Sequence, residues 1–240
     1  MSRLLVMTAA YYPDLRAIER LRLSCIENHV KLMPYKHQDD CCRGLGWSTV
    51  GSDTHAQFVD LPKVIRNTPA EFDTLLFTDS ADVFVVADED EILSKYNELC
   101  PDGDLLMAAE PGLYPPHLHD VYDKAYPNSL EIFGRWRYQN GGGFIAGRDR
   151  MLEILDWNCK HYTESEEAMY RWLHCLCDND APPMWLDNTC QIFQAMSGGG
   201  SDVMEWGRRP MNRETESFPI FLHWNGRLGG IEEAYWKVYS

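Results

Sequence analysis

Short apolar runs alternate with helix-period stretches along this chain, which predicts an α/β fold with a mostly parallel sheet flanked by helices. Two observations carry that expectation. Several of the apolar runs are continuous rather than alternating, the pattern of strands covered on both faces. Polar residues close these runs, and binding sites in such sheets lie beyond the carboxyl ends of the strands.

Leu4 to Thr8 opens the chain as a short buried strand. Arg16 to Asn28 sets Ile18, Leu21 and Ile26 at helical spacing. Val30 to Met33 forms a second strand, and the polar, Gly-rich residues 36 to 56 form a loop. Val59 to Arg66 returns to helix. Thr74 to Thr78, closed by Asp79, reads as a central strand. Asp88 caps the next helix, with Glu91 in capping-box spacing. Asp104 to Ala109 is another buried strand. Residues 111 to 129 hold four of the thirteen prolines and read as a long surface excursion. Met151 to His161 and Glu166 to Cys175 are helical, Gln191 to Gln194 and Pro219 to His223 are short strands, and Ile231 to Tyr239 is a closing amphipathic helix.

The 240 residues, 45% apolar and 25% charged, suit one globular domain and exclude a disordered or fibrous chain. No repeat and no Pro-, Gly- or Ser-rich linker divides them. A formal charge of -15 disfavours phosphate backbones and anionic lipid as long-range partners, while leaving room for a local basic patch. No apolar window reaches the ~20 residues of a spanning helix, so no membrane partner is expected. The LLVMTAA segment reads as a strand rather than a signal core, because its polar flank and cleavage site are poor. The expected location is therefore the reducing cytoplasm, with the eight cysteines as free, mostly buried thiols and no C-x-x-C pair for zinc.

Three segments carry chemistry. In 73-DTLLFTDSADVFV-85, Asp79 and Asp82 follow directly on a strand, and two carboxylates three residues apart in a turn can face one point. Such hard oxygen donors suit Mg²⁺ or Mn²⁺; equally, Asp at a strand end caps turns and helices. No Gly-rich phosphate loop of either common type occurs, so a bound phosphate would need a metal to balance its charge. In 138-YQNGGGFIAG-147, three glycines allow backbone to approach a ligand, or form a tight turn or bulge. In 219-PIFLHWNGRLGG-230, an apolar strand ends at His223, followed by Asn225 and Gly226, and a neutral imidazole is a good Mn²⁺ ligand. A lone His at a strand end is more often a hydrogen-bonded structural residue; what favours a ligand here is that two separate strands end in side chains able to bind a metal.

Together these segments resemble the glycosyltransferase domain of the procollagen lysyl hydroxylases, of GT-A (Rossmann-like) fold, over most of the chain and in the same order. FTDSADVF is similar to that family's D-x-x-D strand, AEPGLYP at 109 to 115 to its Ala-Glu segment leading to an aromatic, and NGGGFIAG to its Asn-Ser-Gly-Gly-Phe-Ile-Gly run. LDNTCQIFQ at 186 to 194 and LHWNG match two further motifs. The resemblance implies a single domain, with a nucleotide-sugar half over about 1–110 and an acceptor half over about 111–240 that returns to the metal. It implies Mn²⁺ (or Mg²⁺) on Asp79, Asp82 and His223, bridging the diphosphate of a UDP-sugar donor. Asn225 and Gly226 would approach the diphosphate, and Thr8 and Lys63 the nucleotide. Tyr114 would line the sugar pocket, with Asn140, Gly141 and Gly142 against sugar or acceptor. Glu166, in 164-ESEEAMY-170, is the candidate acceptor-side carboxylate and, with Asn140, the candidate catalytic group. The chain departs from the family at Ala81, where a Tyr stacks on uracil, and at Trp224, which replaces a glycine.

The implied activity is metal-dependent transfer of a hexose from a UDP-sugar to an acceptor hydroxyl, of hydroxylysine type in the family. A phage-type enzyme acting on hydroxymethylated bases in DNA is the alternative acceptor reading, with 205-EWGRRPMNR-213 and 134-GRWRY-138 as local Arg clusters. A sugar-nucleotide-binding module that has lost transfer, and a nucleotidyltransferase, are the other classes weighed. The oligomeric state is not read from the sequence.

Overall fold

The structure is a computed structural model that describes residues 3–10, 18–36, 56–162, 168–225 and 229–240. Its centre is a six-stranded sheet of β1 (Leu4–Ala10), β2 (Leu32–Lys36), β3 (Thr74–Thr78), β5 (Leu105–Glu110), β6 (Tyr138–Gly147) and β7 (Met184–Asp187), in the order β2-β1-β3-β6-β5-β7. The β1–β2, β1–β3 and β5–β7 pairs are parallel. β6 runs against both its neighbours, so five of these strands share one direction. A smaller sheet joins β4 (Val83–Val85), β8 (Phe193–Ala195) and β11 (Phe221–His223), with β11 between the other two. A two-stranded ladder pairs β9 (Met204–Glu205) with β10 (Met211–Asn212).

The continuous apolar runs have the predicted reason. Along β1, Leu5, Met7 and Ala9 enter one core layer, while Leu4 and Val6 enter the other. β3 does the same with Leu75 and Phe77 against Leu76, and β5 with Leu105 and Met107 against Leu106 and Ala108. The first layer is covered by a π-helical turn (Ala56–Asp60), α2 (Leu61–Asn67), α6 (Arg148–His161) and α7 (Ala168–Cys177), through Phe58, Leu61, Ile65, Met151, Ile154 and Trp172. The second is covered by α1 (Glu19–Glu27) and α3 (Glu89–Leu99), through Leu21, Cys25, Ile92 and Tyr96. Beyond it, α8 (Ile231–Tyr239) packs Ile231, Ala234, Tyr235 and Val238 against Phe84 and Trp224.

Several expectations need correcting. Ile26 is 58% exposed: the buried face of α1 is Leu21, Ser24 and Cys25, which lie roughly 100–160° around the helix from it. The capping box on α3 is half formed. Asp88 Oδ1 accepts from Glu91 N–H at 2.9 Å, but the Glu91 carboxylate turns to Arg209 (2.5 Å) and Lys95 (3.1 Å). Residues 111 to 129 are not a bare surface excursion. They contain α4 (His119–Ala125) and the start of α5 (Ser129–Phe133), and they bury Leu113, Leu118 and Tyr122 against Tyr138 and Leu173. The prolines sit before these short helices, where they leave the hydrogen-bond ladder intact. Of the cysteines, Cys25, Cys100, Cys175 and Cys190 are buried free thiols, Cys159 is exposed, and Cys41 and Cys42 lie outside the described residues.

Candidate active site

The site forms where the two sheets meet. β3 ends at Thr78, the chain turns through Asp79–Asp82, and β4 leaves in the smaller sheet, paired antiparallel with β11 so that Val83 faces His223. Trp224 N–H donates to the Asp82 carbonyl (2.8 Å), and Met196 N–H donates to the His223 carbonyl (2.8 Å). These backbone bonds fix the D-x-x-D turn against the end of β11. His223 Nε2 lies 3.3 Å from Asp79 Oδ2 and 3.6 Å from Asp82 Oδ2, and one ligand atom from each residue fits within 4.8 Å of the others.

The residues fit a divalent cation. Donors to one ion with bonds of about 2.1 Å stand roughly 3–4.2 Å apart. The buried His223 Nε2 has no hydrogen-bond partner among the described residues, although it faces two carboxylates. Burial pulls the imidazole pKa down, but Asp82 and Asp79 outweigh it and hold the pKa up at about 10. Without a cation, a proton therefore neutralises part of this anionic corner. Asp82 and His223 are buried, whereas the Asp79 side chain is 38% exposed, so the cluster opens to solvent on the Asp79 side.

The glycine run supplies the opposite wall. Between β5 and β6 the register jumps from Met107–Phe144 to Ala108–Asn140, leaving Gly141–Gly143 as a bulge. Gly142 carbonyl accepts from Asp79 N–H (2.9 Å), and its N–H donates to Asn140 Oδ1 (2.8 Å). A Cβ on Gly142 would stand 2.2 Å from His223 Cε1 and 2.6 Å from Asp79 Oδ2, so no side chain is compatible with this approach.

The remaining predicted residues divide. Thr8 is buried on β1, and its Oγ1 has no hydrogen-bond partner among the described residues. Tyr114 follows β5 and is 69% exposed. Lys63 projects from α2 into solvent, 3.8 Å from Asp60. Asn225 is hydrogen-bonded within the protein: its Nδ2 donates to Glu110 Oε2 (2.6 Å), and its Oδ1 accepts from Ser197 N–H (3.3 Å). Each end of the amide thus has a protein partner that fixes its orientation, with a second N–H and a second lone pair left over. Glu166 and Gly226 lie outside the described residues.

Glu110 is the residue that sequence reasoning missed. It ends β5, is buried, and is bonded by Asn225, Ser197 Oγ (3.4 Å) and Asn140. Burial pushes its pKa up to about 7, against the lowering pull of His223 and of these donors. The signal was present in AEPGLYP, a carboxylate closing an apolar run, but that segment was read for its aromatic.

Comparison with known proteins agrees with this geometry. A profile of the PLOD GT domain family matches residues 4–229. The chain is 27% identical over 153 residues to an uncharacterized protein of Acanthamoeba polyphaga mimivirus, covering 63% of this chain and 31% of the relative. It is 28% identical over 192 residues to human procollagen-lysine,2-oxoglutarate 5-dioxygenase 2, covering 76% of this chain and 24% of that protein. The chain thus spans a third or less of these relatives. Among solved structures, the fold is similar to a glycosyltransferase involved in glycosylation of the major capsid of PBCV-1, with TM-score 0.54, 12% identity and coverage of 99% and 98%. It is also similar to an active-site mutant of LgtC, with TM-score 0.56, 11% identity and coverage of 98% and 95%. Among the described residues, no helix is long and apolar enough to cross a membrane. With the family profile spanning nearly the whole chain over a GT-A fold, the chain belongs to the PLOD GT domain family, a family of glycosyltransferase domains.

Proposed function

We propose that this chain transfers a hexose from a UDP-sugar to an acceptor hydroxyl, using Mn²⁺ or Mg²⁺ held by Asp79, Asp82 and His223. The observation that carries the reading is the convergence of these three side chains opposite a glycine that leaves them room. When bound, the cation would neutralise the diphosphate as the glycosidic bond breaks. The chain's own groups then bind and orient. Thr8 offers an unpartnered hydroxyl to the nucleotide, and Lys63 is free enough to reach a phosphate. Tyr114 presents a ring beyond β5, suited to the apolar face of a sugar. Glu110 holds the Asn225 and Asn140 amides in one orientation, so they meet the substrate without reorganising. On this reading, residues about 1–110 serve the donor and residues about 111–240 the acceptor, with Gly226 at the diphosphate and Glu166 on the acceptor side.

A hydroxylysine-type side chain is the acceptor this reading favours over DNA. Four of the five arginines that offered a basic patch are engaged within the protein: Arg135 with Glu214 and Trp136, Arg137 over Tyr138, Arg209 with Glu91, and Arg213 with the Asp202 carbonyl. The test pairs UDP-sugars and Mn²⁺ with hydroxylysine peptide and with hydroxymethylated DNA, and reads hexose addition by mass spectrometry. Asp82→Ala is expected to lower turnover by at least about 100-fold. Transfer that survives Asp82→Ala and a chelator would overturn the reading, and modification of DNA alone would move the acceptor.

A further inference from the structure

Gln57 lies on the π-helical turn before α2, is 4% exposed, and belongs to none of the motifs above. Its carboxamide joins two distant parts of the chain. Trp172 Nε1 donates to Gln57 Oε1 at 2.7 Å, and Gln57 Nε2 donates to the Gly141 carbonyl at 3.0 Å. An indole N–H only donates and a carbonyl only accepts, so a single orientation of the amide satisfies both. The Trp172 ring is itself fixed in the core, 4.9 Å from the Phe58 ring and 5.0 Å from the Phe144 ring between centroids. Gln57 thus ties a rigid part of the core to one peptide of the glycine bulge.

That peptide adjoins the tightest clearance in the site. Gly141 has no partner on β5, so Gln57 supplies the hydrogen bond that the bulge removes. The next residue, Gly142, holds Asp79 through its carbonyl and clears His223 by less than the room for one carbon atom. A small shift of the bulge toward the ligands would fill the cation's place. A shift away would loosen the bond to Asp79 N–H.

We infer that Gln57 is a positioning residue: by clamping the Gly141 carbonyl to the Trp172 indole, it sets how closely the glycine bulge approaches Asp79, Asp82 and His223, and so how tightly they hold a divalent cation. The inference rests on the metal-dependent reading above. Gln57→Met keeps the bulk of the side chain and removes both hydrogen bonds, whereas Trp172→Phe removes the indole donor and some buried ring volume but leaves the Gln57–Gly141 bond. Mn²⁺ is titrated into each purified protein without donor, with free ion followed by electron paramagnetic resonance. Melting in chelator measures the fold separately. The expected result is an Mn²⁺ dissociation constant about tenfold weaker in Gln57→Met, the lower end of the range for groups that orient metal ligands. Trp172→Phe should shift it in the same direction by a smaller factor, and it carries the test alone should Gln57→Met not fold. Equal Mn²⁺ affinity in wild type and variants, even with earlier melting in chelator, overturns the inference and leaves Gln57 a core residue. A wild type that takes up no Mn²⁺ overturns the metal-dependent reading and this inference with it.

Discussion

Glu110 and Asp187 close neighbouring parallel strands, β5 and β7, and both are buried carboxylates whose pKa burial raises. They differ in who bonds them. Asp187 accepts three backbone N–H groups from its own loop: Gln191 at 2.9 Å, and Ile192 and Phe193 at 2.8 Å. Glu110 accepts from side chains on other strands and loops, Asn225, Ser197 and Asn140. Local backbone donors make Asp187 a staple for the turn into β8. Distant side-chain donors make Glu110 the hub of a pre-set polar network beside the cation cluster. Burial and a raised pKa are common to the two acids; what differs is where their hydrogen-bond donors come from.

Three substitutions sharpen or break that contrast. Glu110→Gln should have the largest effect, a fall of about 30- to 150-fold in kcat/KM, equivalent to about 2–3 kcal/mol for a lost hydrogen bond to a charged group. Its melting temperature should stay close to wild type; a large fall in melting with normal turnover would place Glu110 beside Asp187 as a staple. Asp187→Asn should cost about 2–3 kcal/mol in urea unfolding, because an amide N–H₂ must face backbone N–H groups. Turnover per folded molecule should hold within about twofold, and selective loss of turnover would erase the distinction. Ser197→Ala should matter least, since its bond to Glu110 is long at 3.4 Å: about twofold in kcat/KM. A fall matching Glu110→Gln would mean that the serine itself touches substrate.

The parts legible in the sequence share one property: their signal is local. The D-x-x-D turn, the buried strands and the Asp88 cap all declare themselves within a few residues. His223 needed the company of a second motif, and its ring lies 3.3 Å from Asp79 and 3.6 Å from Asp82. What escaped notice depends on partners far along the chain. Val83–Val85 is a separate strand because β11, far along the chain, recruits it. Glu110 and Gln57 look ordinary until the fold brings them residues 115 and 84 positions away. The short helices of 111–133 were hidden by their prolines, which signal turns and helix starts alike.

Gly142 has a bearing on kinship. Because even a methyl group there would overlap His223 and Asp79, an alanine at this position forces the side chains that form the corner to move. A homologue that keeps D-x-x-D and the histidine but carries alanine or anything larger at this point is expected to hold a divalent ion more weakly, which a metal titration of that homologue measures.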